Sequence, residues 1–343
     1  MTLRRIISQR LPVPAQLHGA LARSSHSLAI VGNKAYVFGG EFHPRIPVDA
    51  NLYVYDLEDK SVKVISPNES TPSPRVGATL SAIGSKIYLF GGRGGKDMTP
   101  LQSMLYSFDT ESTTWKVVEA KSGELPTPRS FHAMTASDSD IYVFGGCPTK
   151  GRLNDMHKFS LTTGAWSTLP TPPITPRGGA AMTYYGNRLY LHGGFTGQEE
   201  SDMVVYDNSN GEWAHALPSS TDAPGARSVH AIVPIASEAA DLDRLLILFG
   251  EGNPSKVGHE GAGEFWGDIW TATLSKSLKG EHGGSLFVNY EKITLAASQD
   301  DQDNLPCPRG WFQALPWNGK IILSGGLAAN NERLDDVYLL SLD

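Results

Sequence analysis

Apolar runs of about four residues, each closed by a glycine pair, recur along this chain. Ile87-Tyr88-Leu89-Phe90 leads into Gly91-Gly92, Ile141-Tyr142-Val143-Phe144 into Gly145-Gly146, and Leu189-Tyr190-Leu191-His192 into Gly193-Gly194. Ala35 to Phe38 before Gly39-Gly40 and Ile321 to Ser324 before Gly325-Gly326 are further copies. Runs this short, rich in branched and aromatic residues and bounded by glycine, predict β-strands. In all five copies an arginine stands sixteen positions before the first glycine: Arg23, Arg75, Arg129, Arg177 and Arg309. A sixth copy starts at Arg227 and reaches Leu245 to Gly250 after an insertion, with Glu251 where the second glycine is expected.

A second alternating run follows each glycine pair after a loop, as in Leu52 to Tyr55, Met104 to Phe108 and Val204 to Asp207, and Trp115, Trp166 and Trp213 follow these runs. The series of diglycine, tyrosine and tryptophan resembles the Kelch repeat over almost the whole chain. That resemblance implies an all-β, six-bladed Kelch β-propeller with four antiparallel strands per blade. The chain then reads as one domain, 1–343, with blades at about 19–68, 72–120, 127–170, 175–217, 226–294 and 307–343. The last copy ends on its third strand, so the stretch Leu3 to Ser8 is expected to supply the fourth and close the ring.

Strand direction puts the repeat arginines and the loops after the glycine pairs on one face. The opposite turns are mostly short hairpins such as Gly32-Asn33, Gly84-Ser85, Gly186-Asn187 and Asn318-Gly319. The long loops, Glu41 to Asn51, Arg93 to Ser103, Cys147 to Asn154 and Glu251 to Asp268, mark the loop face as the functional one. Small residues (Ser24, Gly77, Gly178, Gly179) and aromatic ones (Phe131, Trp311, Phe312) begin the first strands. They predict an axial pocket or, as the plainer reading, the open channel mouth of any propeller.

Net charge changes the picture by exclusion: −7 at pH 7 disfavours nucleic acid, and no apolar run is long enough to span a membrane. The first seventeen residues lack a continuous apolar stretch and read as no secretory signal; two cysteines give no disulfide framework. A cytoplasmic protein is the expectation. The richest chemistry lies in the blade-five loop, where Glu251 and His259 are the candidate catalytic pair and a mixed oxygen and nitrogen set for a divalent metal. Glu260, Asp268 or water would have to complete such a site. The plainer reading has Glu251 and His259 shaping the loop through hydrogen bonds. His26, His132 and His230, each three residues after a repeat arginine, read with those arginines as structural.

A narrower resemblance rests on Arg23-Ser-Ser-His26, Tyr36 to Glu41, Gly91-Gly92-Arg93, Arg129-Ser-Phe131-His132, Arg309-Gly-Trp311 and Asn331-Glu332-Arg333. These look like the specifier proteins of glucosinolate breakdown, the nitrile-specifier, epithiospecifier and thiocyanate-forming types. The resemblance implies a lyase-like or isomerase-like activity on an anionic thiohydroximate sulfate, with Fe(II) as cofactor and no redox turnover. Arg93 and Arg152 match the family's sulfate-holding arginines, and Phe131 and Trp311 its aromatic pocket positions. The family holds iron with Glu, Asp and His at four-residue intervals before Gly-x-Gly. Glu251, His259 and Gly261-Ala262-Gly263 match, but Ser255 replaces the Asp, which removes a hard charged ligand and weakens the expected metal site. The expectation is a specifier-like protein directing a small anion, with or without iron. The alternative is a non-catalytic Kelch module that offers the loop face to a protein partner.

Overall fold

A computed structural model of the chain describes residues 5–95, 97–237, 239, 241–275, 286–298 and 305–343. The strands pair antiparallel in groups of four. Ser27–Val31, Lys34–Phe38, Leu52–Asp56 and Val62–Ile65 form the first group. Val76–Ile83, Lys86–Gly94, Tyr106–Asp109 and Thr114–Val117 form the next. Ala133–Ala136, Asp140–Gly146, Leu153–Ser160 and Ala165–Leu169 follow, then Ala181–Tyr185, Arg188–Phe195, Glu199–Asp207 and Glu212–Pro218. Ala231–Ile235, Leu242–Leu248, Ile269–Ser275 and Leu286–Ala297 come next, and Gln313–Trp317, Lys320–Ala328 and Arg333–Leu342 last.

The N-terminal strand Arg5–Leu11 lies antiparallel on Arg333–Leu342, from Ile6 opposite Leu342 to Leu11 opposite Val337. The pairing expected for Leu3 to Ser8 thus runs three residues further along the chain, and Leu3 and Arg4 lie outside the described residues. The reason is legible in the strand itself: Ile6 and Ser8 are buried on one face and Leu11 on the other, so both faces are covered as far as Leu11, with Arg10 exposed between. Leu286–Ala297 reaches past its own group. It pairs in parallel with Glu212–Pro218 through its first residues and with Arg5–Leu11 through its last.

Successive first strands pack side by side, and Gln313–Trp317 packs back on Ser27–Val31. The core therefore sits between neighbouring sheets. Leu28, Val37 and Tyr53 are buried with Ile322, Val337 and Leu339, and Ile6, Val233 and Leu246 with Leu323 and Tyr338. The tryptophans staple adjacent groups: Trp115 packs on Phe38 and Phe108, and Trp166 on Phe90 and Phe159.

Each repeat arginine is buried beneath a turn it holds. Arg23, Arg75, Arg129, Arg177 and Arg309 donate through Nη1 to the carbonyl of the first glycine of their own pair, at 2.8–3.0 Å. Arg129 and Arg309 also form two-pronged pairs with Asp155 and Asp336, at 2.6 and 2.7 Å and at 2.6 and 2.9 Å. The equivalent bond of Arg227 goes to the carbonyl of Phe249, at 2.8 Å. This corrects the frame of the fifth unit: Phe249, at φ 52, replaces the first glycine, and Gly250, at φ 103, is the second. Glu251 is therefore the residue after the pair. The insertion between the first two strands, which lengthens the arginine-to-turn spacing, concealed this.

The histidines fill the space that the glycines leave. A Cβ on Gly91, Gly193 or Gly325 would meet the ring of His132, His230 or His26 within 3 Å, so ring and glycine fix each other.

Candidate functional site

Two residues after each buried arginine the backbone enters the left-handed region: Ser25, Gly77, Phe131, Gly179, Val229 and Trp311 have φ between 46 and 63. For valine this is a rare conformation, and the surroundings must impose it. They do so by hydrogen bonds. Gly77 N–H donates to the Ser25 carbonyl, Phe131 to Gly77, Gly179 to Phe131, Val229 to Gly179, Trp311 to Val229 and Ser25 to Trp311, all at 2.8–3.0 Å. The series returns to its start and makes a backbone ring on the axis. Gly77 serves twice, because the Phe131 ring occupies the space where its Cβ would lie, at 2.8 Å.

The residues after the glycine pairs, Glu41, Arg93, Cys147, Phe195, Glu251 and Leu327, form a second set around the same axis. Each pairs with the residue next to a repeat arginine: Ser24 with Glu41, Val76 with Arg93, Ser130 with Cys147, Gly178 with Phe195, Ser228 with Glu251 and Gly310 with Leu327. Between the two sets and beneath the loop Glu251 to Asp268 lies a cavity of about 330 Å³. Phe131, Phe195, Val229 and Trp311 make it largely apolar, and Arg152, Glu251 and His259 are its charged or titratable walls with the Cys147 thiol. Five of the six residues chosen from the sequence, Phe131, Arg152, Glu251, His259 and Trp311, thus meet here. Arg93 does not; it lines an adjoining compartment behind Phe131 and His259.

Glu251 is 5% exposed. Burial and then the nearby Glu199 push its carboxyl up to about 8, against the opposing pull of the Gly263 and Ser255 amides. Glu199, also buried, is pushed up to about 7 by burial; the Ser228 hydroxyl and Arg152 oppose this, and Glu200 adds to it. Sequence reasoning missed Glu199. Its run, Gln198-Glu199-Glu200, reads as a solvated loop, and only the turn of the strand buries it.

His259 does not pair with Glu251. The fold-back loop carries it across the face to Glu41 of the first strand group's loop, whose Oε1 lies 2.9 Å from His259 Nε2. Phe131 and Trp311 pack edge-on against its ring, at 5.7 and 6.2 Å. The other oxygen of Glu41 accepts the Arg45 backbone N–H at 2.6 Å. Asn331 Nδ2 donates to the Glu260 carbonyl at 3.3 Å, so the loop is latched to two distant units. Arg152 stacks on Phe195 at 4.6 Å and donates to the Thr196 carbonyl at 3.1 Å. Arg93 donates to Ser130 Oγ at 2.7 Å. Burial raises the Cys147 thiol, while Arg93 and Arg152 lower it from either side.

The donor chemistry bears on iron. Among the described residues no group of three or more His, Cys, Asp and Glu side chains could hold a metal ion. Ser255 Oγ accepts from the Val257 amide at 3.3 Å and His259 is engaged by Glu41, so the Glu251, Ser255 and His259 set does not fit a three-ligand ferrous centre.

Residues 25–242 match the KLHDC2/KLHL20/DRC7 Kelch-repeats domain. The chain is 29% identical to the N-(sulfonatooxy)prop-2-enimidothioate sulfolyase of Thlaspi arvense, over 94% of this chain and 93% of that protein. It is 30% identical to acyl-CoA-binding domain-containing protein 5 of Arabidopsis thaliana, over 68% of this chain but only 34% of that relative. Among solved structures, that of YjhT aligns with a TM-score of 0.69 at 19% identity, covering 97% of each chain; this similarity speaks to fold. Among the described residues no helix is long and apolar enough to cross a membrane.

Proposed function

This chain belongs to the Kelch-repeat family, and from that premise we propose a specifier-like protein. Its loop-face cavity takes up an organic anion carrying a sulfate-type group and directs its non-redox fragmentation or isomerisation. The scaffold in this reading is a six-bladed propeller closed by the N-terminal strand, supported by the returning ring of hydrogen bonds and the pairing of Arg5–Leu11 with Arg333–Leu342.

The observation that carries the reading is a buried carboxyl, favoured in its neutral form near pH 7, on the wall of an aromatic cavity with a guanidinium. A relative similar over nearly its full length is named for sulfolyase action on a sulfonatooxy imidothioate. When an N–O bond to sulfate breaks heterolytically, its electron pair leaves on the sulfate oxygen. A neutral Glu251 can donate a hydrogen bond or its proton to that oxygen, and Arg152 can balance the charge. Phe131, Trp311 and Phe195 hold the organic part away from water, and the latched loop covers it. Every step uses the chain's own side chains, and none is routed through a metal.

The test is product analysis of a glucosinolate and myrosinase mixture, with and without the protein. Glu251→Gln preserves shape but cannot give up a proton, so it is expected to reduce steering of the products about 100-fold or more. The wild-type effect should also fade as pH rises through about 8, where Glu251 ionises and the acid is lost. A product distribution that ignores the protein altogether would overturn the reading.

A further inference from the structure

We propose that residues 254–263 form a flap over the cavity, and that Glu41, Asn331 and Arg333 are the positioning residues that hold it shut. Lifting the flap admits the ligand, and closing it excludes water. The flap supplies Pro254, Ser255, Gly258 and His259 to the cavity lining, whereas Phe131, Val229 and Trp311 in that lining belong to the axial ring. Lifting it therefore removes the roof and leaves the floor in place.

The base of the flap is firmly held. Glu251–Asn253 pairs there with Glu264–Phe265, Asn253 Nδ2 donates to Glu264 Oε2 at 2.6 Å, and the Trp266 N–H donates to the Gly250 carbonyl at 2.8 Å. The tip is held differently. Its backbone bonds stay within it, Gly258 to Ser255 and Gly261 to Gly258, and Val257 is 66% exposed, so little apolar burial presses it down. Its ties to the body are the contact of His259 with Glu41, the ring edges on His259, and the bond from Asn331 to the Glu260 carbonyl. The receiving side is built ahead of the flap. Glu41 is buried and its second oxygen is fixed by the Arg45 N–H. Buried Arg333 donates through Nη1 to the Asn331 carbonyl and Oδ1, both at 3.1 Å, which leaves Asn331 Nδ2 for the flap. Burial lowers the Arg333 pKa, while Glu41 and Glu260 raise it, so one cation serves a carboxylate of the receiver and one of the flap. Polar ties of this number hold a short segment yet break at modest cost. The resemblance that picks out Asn331-Glu332-Arg333 gives these residues no role.

The proposal rests on the function above only in which ligand the flap admits, and its test needs no turnover. Cys147 lines the cavity beneath the flap, and Cys307 is not among the lining residues. Alkylation of the full chain by iodoacetamide, read by mass spectrometry at both thiols, therefore reports the flap against an internal reference. Asn331→Gly removes the tie, changes no charge and accepts the local φ of 66. Because Asn331 is exposed, this variant should melt with the wild type. It is expected to speed Cys147 alkylation about fivefold, and Glu41→Ala about tenfold, with Cys307 unchanged. Tryptic cleavage after Lys256, at the exposed tip, should rise in step. A Cys147 rate in Asn331→Gly within about twofold of the wild type would overturn the proposal. So would faster cleavage after Lys256 with Cys147 unchanged, since the loop would then be loose without being the door. Faster alkylation alongside a product distribution that ignores the protein would uphold the flap and refute the specifier reading alone.

Discussion

Arg309→Met is expected to lower the free energy of unfolding by about 3–5 kcal/mol. The side chain is fully buried, and its loss strands the buried carboxylate of Asp336 together with the carbonyls of Gly325 and Cys307. Those carbonyls belong to the last glycine turn and to the segment that leads into the unit, so the damage spreads to the axial ring through Trp311, two residues on from Arg309. Met matches the volume closely enough to separate lost bonding from lost packing. Asp336→Leu in the Arg309→Met background should recover part of the loss, because it removes the orphaned charge. Urea unfolding of the two single variants and the double variant checks this. A single-variant loss below about 1 kcal/mol would mean that solvent reaches the pair and the network is dispensable.

Acid should unfold the protein well above the usual carboxylate range. His26, His132 and His192 are buried and pushed down to about 3 by burial first and then by nearby arginines, and His230 lies well below its ordinary value for the same first reason. His192 Nδ1 and His230 Nε2 are 2.8 Å apart, a contact that two neutral rings make and two cations break. Below pH 6.5 the unfolded chain binds protons that the folded chain refuses, so stability falls with pH by about 1.4 kcal/mol per unit for each histidine. Glu199 and Glu251 act in the opposite sense. Their folded values of about 7 and 8 exceed the unfolded value, so they favour folding at low pH and oppose it as pH rises toward 8. Between pH 4.5 and 6.5 the four histidines outweigh the two glutamates, leaving a net loss of roughly 3 kcal/mol per unit of acidification. Above pH 7 the glutamates dominate, and the optimum falls near pH 6.5–7. Urea midpoints measured from pH 5 to 8 should trace that maximum; a flat acid limb would show that the histidine cavities admit water.

Much of this architecture can be read from the chain because one arginine must meet one glycine turn, and the distance between them along a two-strand hairpin is fixed. The reading failed where that distance changed. Six extra positions between Arg227 and its turn moved the frame, so Phe249 went unrecognised in a glycine role and Glu251 was credited with one. The site was legible where it uses repeat positions, as with Phe131 and Trp311. It was opaque where partners come from different repeats: Glu41 and His259 are 218 residues apart, and nothing in either local sequence announces the other. A usable signal did exist. The residue after each glycine pair faces the axis, and that rule alone finds Glu41, Cys147 and Phe195.

The axial ring separates what holds the protein together from what it displays. Backbone amides and carbonyls make all the ring's bonds, so the side chains of Ser25, Phe131, Val229 and Trp311 are spectators to the closure they sit on. Each can be exchanged without rewiring the hub, subject to the left-handed backbone that glycine meets most easily. Selection, or a designer, therefore has a short set of sites at which cavity shape can change while the scaffold stays constant. New ligand preferences are accessible one residue at a time.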